Sequence, residues 1–436
     1  IVKTDSDTAA KIIDEVNEAD TDSNLSLKVI SGISEKDSEK LNELSENNKE
    51  QMEQLTETAV QNAENTAEDS QLIANVVAVV NDELANKVVE EVSKTSTDEK
   101  QTLSAKVLKA IVDTEPAKID IIDDDVKDTM IEQTIESAKN QQEGTGIQEE
   151  EDLTSIVSDI IVNTDAETAA KIIDEVNNTD TDSNLSLKVI SGISEKDSEK
   201  LDSLSENNKE QIETLTETAV QNAENTAEDS QLIANVVSVV NDELLNVMIE
   251  EVSKVSIDEK QSLSAKVLKA IVDTEPDKME IINDDVKDTM IEQTIEATKN
   301  QQESSDISTE EDLTNIVAEI IVNTDAETAA KIIDEVNETE TDSNLSLKVI
   351  SGISEKDTLK LNELSENNKE QMEQLTETAV QNAENTAEDS QLIANVVSVV
   401  SDELVNVMIE EVSKTSTEEK QTLSAKVLQA IVETEP

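Results

Sequence analysis

Asp180-Thr-Asp-Ser-Asn184 has the D-x-D-x-N spacing of the opening half of a calcium loop. Oxygens spaced in this way can converge on one hard cation. A complete EF-hand also needs glycine at the sixth loop position and a bidentate glutamate at the twelfth. Those positions are Leu185 and Ser191, and the third occurrence of the segment opens with Glu340. An EF-hand is rejected. What remains for Asp180, Asp182 and Asn184 is a loose divalent-cation site or, more plainly, a polar loop that caps the next helix. Denser acidic runs occur at Asp123-Asp-Asp125, Glu149-Glu-Glu-Asp152, Asp284-Asp285 and Glu310-Glu-Asp312. At a helix N-terminus such charges complement the macrodipole. The functional alternative for Asp284 and Asp285 is weak calcium binding, repeated along the chain.

Other chemistry is limited by what is missing. His, Cys, Trp, Tyr, Phe and Arg do not occur in 436 residues. Without His or Cys there is no triad nucleophile, no zinc or copper site of the usual kind and no haem or iron–sulfur ligation. Disulfides are impossible, so cysteine usage assigns no redox compartment. Lys and Arg total 34 against 102 acidic residues, a formal charge of −68. With no guanidinium and no aromatic platform, nucleic acid and anionic lipid are excluded as partners. Cations and basic proteins are the partners that the charge admits. No catalytic or cofactor residue is assigned. Asn24-Leu-Ser26 and its copies at Asn184 and Asn344 match a glycosylation sequon, which matters only in a eukaryotic secretory setting. No run is long and apolar enough to be a transmembrane segment.

The elements that position these residues recur. SQLIANVV begins at Ser70, Ser230 and Ser390, so the period is constant and free of insertions. The copies are 1–160, 161–320 and a partial 321–436. Residues 161–276 and 321–436 differ at 16 of 116 positions. Each copy also holds two diverged modules, each about half a copy long, because Ile172-Ile-Asp-Glu-Val176 resembles Met248-Ile-Glu-Glu-Val252. The first residue is Ile1 and the last copy stops out of phase, so the sequence reads as a window cut from a longer array.

Ala169, Ile172, Ile173 and Val176 follow the i, i+3, i+4, i+7 spacing of one helical face. Sustained strand alternation and two-residue hairpin turns are missing, so the fold class is all-α. The stripe Leu72, Val76, Val80, Leu84, Val88, Val92 advances by four. One straight helix would rotate it by about 200°, so a break at the capping pair Asn81-Asp82 is required. Capping boxes fit Thr164-Asp-Ala-Glu167, Ser194-Glu-Lys-Asp197, Ser256-Ile-Asp-Glu259 and Ser308-Thr-Glu-Glu311. Gly192 fits a helix stop, and Pro276 the first turn of another helix. The methionines, Met52 and Met248 among them, fall at apolar positions and read as core. Helices of about three turns must stack side by side. The expected architecture is an elongated α-solenoid, with a long helical bundle or coiled coil as the alternative. Heptads that stop at the capping sites count against the coiled coil.

Asp165-Ala-Glu-Thr-Ala-Ala-Lys-Ile-Ile-Asp174 resembles the short-helix units of MgtE-type transporter N-domains and flagellar FliG proteins. That resemblance implies a right-handed superhelix of stacked helices and nothing about activity. The layout as a whole resembles large repetitive acidic bacterial surface proteins. The expected function is a structural, non-catalytic tandem-repeat protein forming an extracellular fibre, stalk or surface layer, with adhesion and self-association as corollaries. The alternative is an intracellular, cytoplasmic acidic scaffold for basic partners.

Overall fold

The computed structural model describes residues 1–19, 24–96, 100, 102–144, 152–180, 183–256, 262–303, 312–339, 344–415 and 422–434. Among them there are 25 α-helices and no strand. Two compact units divide the chain, Ile1–Asn222 and Ala223–Pro436.

The first unit contains α1 (Ser6–Ala19), α2 (Leu25–Lys36), α3 (Ser38–Asn47), α4 (Lys49–Asn62), α5 (Ala67–Val79), α6 (Asp82–Thr95), α7 (Leu103–Thr114), α8 (Asp124–Gln142), α9 (Leu153–Asn163), α10 (Ala166–Thr179), α11 (Leu185–Lys196), α12 (Ser198–Asn207) and α13 (Lys209–Asn222). They form two layers. In one, α2, α5, α7, α9 and α11 pack in succession; in the other, α1, α4, α6, α8, α10 and α13 do the same. The chain alternates between layers, and α3 and α12 are extra helices wedged beside the pairs that they follow. The second unit repeats the arrangement in α14 (Ala227–Val239), α15 (Asp242–Val255), α16 (Leu263–Thr274), α17 (Asp284–Glu303), α18 (Leu313–Asn323), α19 (Ala326–Thr339), α20 (Leu345–Lys356), α21 (Thr358–Asn367), α22 (Lys369–Asn382), α23 (Ala387–Val397), α24 (Asp402–Thr415) and α25 (Leu423–Thr434). Each unit is an α-solenoid of nearest-neighbour helix pairs. Its two-layer packing leaves no continuous heptad seam, which removes the coiled coil.

Four layer-to-layer pairs make up one copy, so each pair advances the stack by a quarter of the sequence period. Side-chain hydrogen bonds between pairs carry that spacing, at separations of 34, 38 and 41 residues for Asn17, Lys118 and Lys106. The core is aliphatic. Ile13, Leu27, Leu41, Met52, Leu55, Ile73 and Leu108 are fully buried, and so are Met130, Met248 and Met290. Burying each such side chain contributes roughly 1.5–3 kcal/mol.

The break at Asn81-Asp82 is present: α5 ends at Val79, and the Leu84 amide donates to Asn81 Oδ1 at 3.0 Å. Other boundaries are kept by different residues from those expected. Asp165, not Thr164, caps α10, accepting the Thr168 amide at 2.8 Å. Asp197, not Ser194, caps α12, accepting the Lys200 amide at 2.9 Å while its own amide donates to the Ile193 carbonyl. Gly192 stops nothing, because α11 runs on to Lys196. Its role is close approach. A Cβ there would fall on the Ser158 side chain of α9, 2.9 Å from Cβ, and one at Gly352 would lie 2.8 Å from Ala318 Cβ. Pro276 does open a first turn, but of a 3₁₀ segment, Pro276–Glu280. The boxes beginning at Ser256 and Ser308 run into residues outside those described.

Candidate functional site

Asp180 is almost completely buried, at the joint between α10 and α11. Its amide donates to the Val176 carbonyl, closing α10. One carboxylate oxygen accepts from the Ser183 amide at 3.2 Å and hydroxyl at 2.6 Å; the other accepts from the Ser186 amide at 2.8 Å. The carboxylate thus satisfies amides that would otherwise be orphaned at a helix start. Asp182 lies outside the described residues. Asn184 directly precedes α11, and its counterparts Asn24 and Asn344 donate to Asp69 and Asp389, each at 3.3 Å. The sequon serines Ser26, Ser186 and Ser346 are fully buried.

Asp284 and Asp285 occupy the first turn of α17. The Lys287 ammonium lies 3.2 Å from the Asp284 carboxylate, and the Asp285 amide donates to Asn283. Asp124 and Asp125 open α8 in the same way, and Asp152 caps α9 through the Thr154 amide. Glu149 to Glu151 and Glu310 to Glu311 lie outside the described residues. Among the described residues no three carboxylates converge closely enough to hold a metal ion.

A more open acidic feature separates α8 from α10. Asp128, Ile131 and Glu132 of α8 face Lys171, Asp174 and Glu175 of α10 across a groove of about 230 Å³. Four carboxylates and one ammonium leave it at −3. Lys171 Nζ is 3.8 Å from Asp128 Oδ1 and 3.9 Å from Asp124 Oδ1, a loose contact that bridges the helices. The second unit sets the same residue types between α17 and α19, where Lys331 Nζ closes to 3.0 Å from Asp288 Oδ1. The hydrogen bond and charge of Asp288 hold the Lys331 ammonium above its ordinary range.

At the start of α10 two carboxyl groups meet. Asp120, in the 3₁₀ segment Pro116–Ile121, stands beside the α10 cap Asp165. Partial desolvation, then the neighbouring Asp165 carboxylate, push the Asp120 carboxyl up. The Thr168 amide holds Asp165 down. At Asp325, the corresponding cap of α19, desolvation works upward, yet the hydroxyl and amide of Thr328 keep the carboxyl below the usual range.

Lysines carry much of the stacking, and this was not read from the sequence. Lys118 Nζ donates to the Val80 carbonyl at 2.9 Å, Lys139 to Thr179 at 2.9 Å and Lys200 to Thr164 at 2.7 Å. In the second unit Lys278 donates to Val240, Lys299 to Thr339 and Lys360 to Thr324. Each ammonium closes the carbonyl end of a helix in an adjoining pair, where the macrodipole is negative. Lys106 and Lys266 are buried and reach the Asn65 and Asn225 carbonyls. Amide side chains do similar work: Asn86 donates to the Ile121 carbonyl at 2.9 Å and Gln133 to that of Ser93 at 2.9 Å. A signal was available in Ala105-Lys-Val-Leu108, where a lysine interrupts an apolar helix. These lysines are turned into the fold, whereas others, Lys49, Lys94 and Lys414 among them, stay half-exposed in ion pairs with surface glutamates.

No family model and no curated protein matches the chain. Among solved structures, an engineered protein is 16% identical, with 87% of this chain and 96% of that one covered, at a TM-score of 0.31. Human Puf-A is 9% identical over 92% of this chain and 98% of that one, at 0.29. A circular tandem repeat protein is 12% identical over 98% and 96%, at 0.27. Scores this low bear on neither fold detail nor function. Among the described residues no helix is long and apolar enough to cross a membrane.

Proposed function

We propose that this chain is a non-catalytic structural array that sets distance and displays an acidic surface, as an extracellular fibre, stalk or surface layer built from further copies of itself. The observation that carries this is the reuse of polar side chains for stacking. The same lysine-to-carbonyl bonds recur at Lys200 and Lys360, at Lys118 and Lys278, and at Lys139 and Lys299. Each of these arrangements is repeated, and each serves a neighbouring helix. A surface adhesive role belongs to the same reading. The net charge of −68 keeps such an array soluble and resists random aggregation. Electron microscopy of chains carrying three, four and five copies tests it: each copy should add the same length, and compact particles of unchanged dimension would refute it.

The α8–α10 groove favours a second reading, a scaffold for basic partners, in the cytoplasm or elsewhere. Asp128, Glu132, Asp174 and Glu175 would receive lysine or arginine side chains, with Ile131 at the floor. Binding of a lysine-rich peptide that is lost on Asp174→Asn with Glu175→Gln, at a salt concentration that leaves nonspecific attraction screened, would support it.

A further inference from the structure

The two helix layers differ in charge. In the first unit α2, α5, α7, α9 and α11 hold six acidic and six basic residues within their spans, whereas α1, α4, α6, α8, α10 and α13 hold 22 acidic and eight basic. One layer is neutral, and the other stands at −14. The second unit repeats the contrast. Eight acidic residues face five basic in α14, α16, α18, α20, α23 and α25, against 21 and six in α15, α17, α19, α22 and α24.

Charges on the solvated side of the neutral layer pair with one another. Lys109 Nζ of α7 lies 2.8 Å from Asp113 and 3.7 Å from Asp159 Oδ2 of α9. Lys196 Nζ of α11 lies 2.7 Å from Asp159 Oδ1 and donates to Ser155 at 3.1 Å. Lys269, Glu319 and Lys356 tie α16, α18 and α20 in the same way. Between these charges Gln71 of α5 donates to Asn75 at 3.1 Å and to Thr114 at 2.9 Å. An exposed valine recurs beside them, with Val79 on α5 and Val239 on α14 at 36% and 40% exposure and Val399 just past α23 at 36%.

We infer that the solvated face of the neutral layer is the surface on which a second copy of this chain docks, face to face. The inference rests on the self-associating structural role proposed above and names the face that serves it. Charge selects the occupant. A face of equal and internally paired signs draws neither an acidic nor a basic partner, yet it does not repel its own twin. Docking through it also leaves the two acidic layers on opposite outer sides, where like charges are farthest apart. The area suffices. Five helices of about 12 residues, ~18 Å long and ~9 Å apart, present ~800 Å², the share that each partner gives to a standard specific interface.

Sedimentation equilibrium of chain 1–436 tests this. Association should strengthen as sodium chloride is raised to ~0.5 M, because screening relieves what repulsion remains between the acidic layers. Val79→Glu, Val239→Glu and Val399→Glu together should abolish it. Gln54→Glu, Thr214→Glu and Gln374→Glu add the same charge to α4, α13 and α22 of the acidic layer and should leave it unchanged. The native sequence has no cysteine, so a single thiol gives a readout that does not depend on those variants folding. Labelling of Asn75→Cys should slow about fivefold as the chain is concentrated and its free fraction falls, whereas Gln54→Cys should label at one rate throughout. A chain that stays monomeric at ~0.1 mM in high salt overturns the assignment. So does association that protects Gln54→Cys instead, which would place the contact on the acidic layer. Neither result alters the growth of length with copy number, so this assignment and the structural reading fail separately.

Discussion

Glycine at the α2, α11 and α20 positions has one sequence context and two environments. Gly32 faces open space, whereas Gly192 and Gly352 face side chains of α9 and α18. Gly32→Ala should therefore stabilise, by up to about 1 kcal/mol, through helix propensity alone. Gly192→Ala should destabilise by about 1–3 kcal/mol through overpacking. Opposite shifts in urea midpoint check this; equal shifts would mean that the α9–α11 approach is wrong. Burial of Lys266 leads to a second outcome. Its ammonium donates to the Asn225 carbonyl at 2.8 Å, so Lys266→Met removes a charged hydrogen bond and leaves that carbonyl unanswered. The loss should be about 1.5–3 kcal/mol, read by the same denaturant midpoint. Chemistry-bearing residues were legible as types but not as roles. Asp180 reads as a calcium-loop ligand or a cap from spacing, and the structure gives its oxygens to Ser183 and Ser186. Lysine staples were invisible because their partners are backbone carbonyls a whole helix pair away, such as Thr164 for Lys200 and Asn65 for Lys106, which no side-chain pattern records.

Helix existence was legible element by element, and helix ends less so. Local chemistry explains why. Aspartate placed after the expected Ser or Thr accepts the same kind of orphan amide and carries the favourable charge as well, so Asp165 and Asp197 displace Thr164 and Ser194. Asp197→Ala should cost about 1 kcal/mol and lower the melting temperature, while Ser194→Ala should do less. Titration of these caps has a definite sign. Asp165 and Asp325 are held below the ordinary carboxylate range, so the stability they contribute is present above their unfolded pKa and lost as pH falls through the lower folded value. Asp120 is raised and so protonates first, releasing its repulsion with Asp165 at mildly acidic pH. The melting temperature should accordingly rise on mild acidification and fall again once the caps titrate. Asp120→Asn should flatten the rise and leave the low-pH fall intact.

The long period was legible at the scale of the whole chain because substitutions between copies are few. The shorter advance of one helix pair was not, because the four pairs within a copy share geometry but little sequence. Charge acts at this scale. With the ammonium groups of Lys118, Lys200 and Lys278 turned onto backbone carbonyls, exposed carboxylates dominate the surface. Sodium chloride at ~0.5 M, with a Debye length of about 4 Å, should raise the melting temperature by screening that repulsion. Calcium at matched ionic strength should add a modest further increase, and calorimetry should show no saturating stoichiometry of one ion per copy. A saturating isotherm would point to dedicated sites. The central claim is that stability is local, passed from each helix pair to the next. Removing residues 161–320, which joins Ile160 to Ile321 in register, tests it most directly by far-UV circular dichroism. A nearest-neighbour array keeps its mean residue ellipticity and melts cooperatively a little lower; a coil spectrum from the shortened chain would contradict the account.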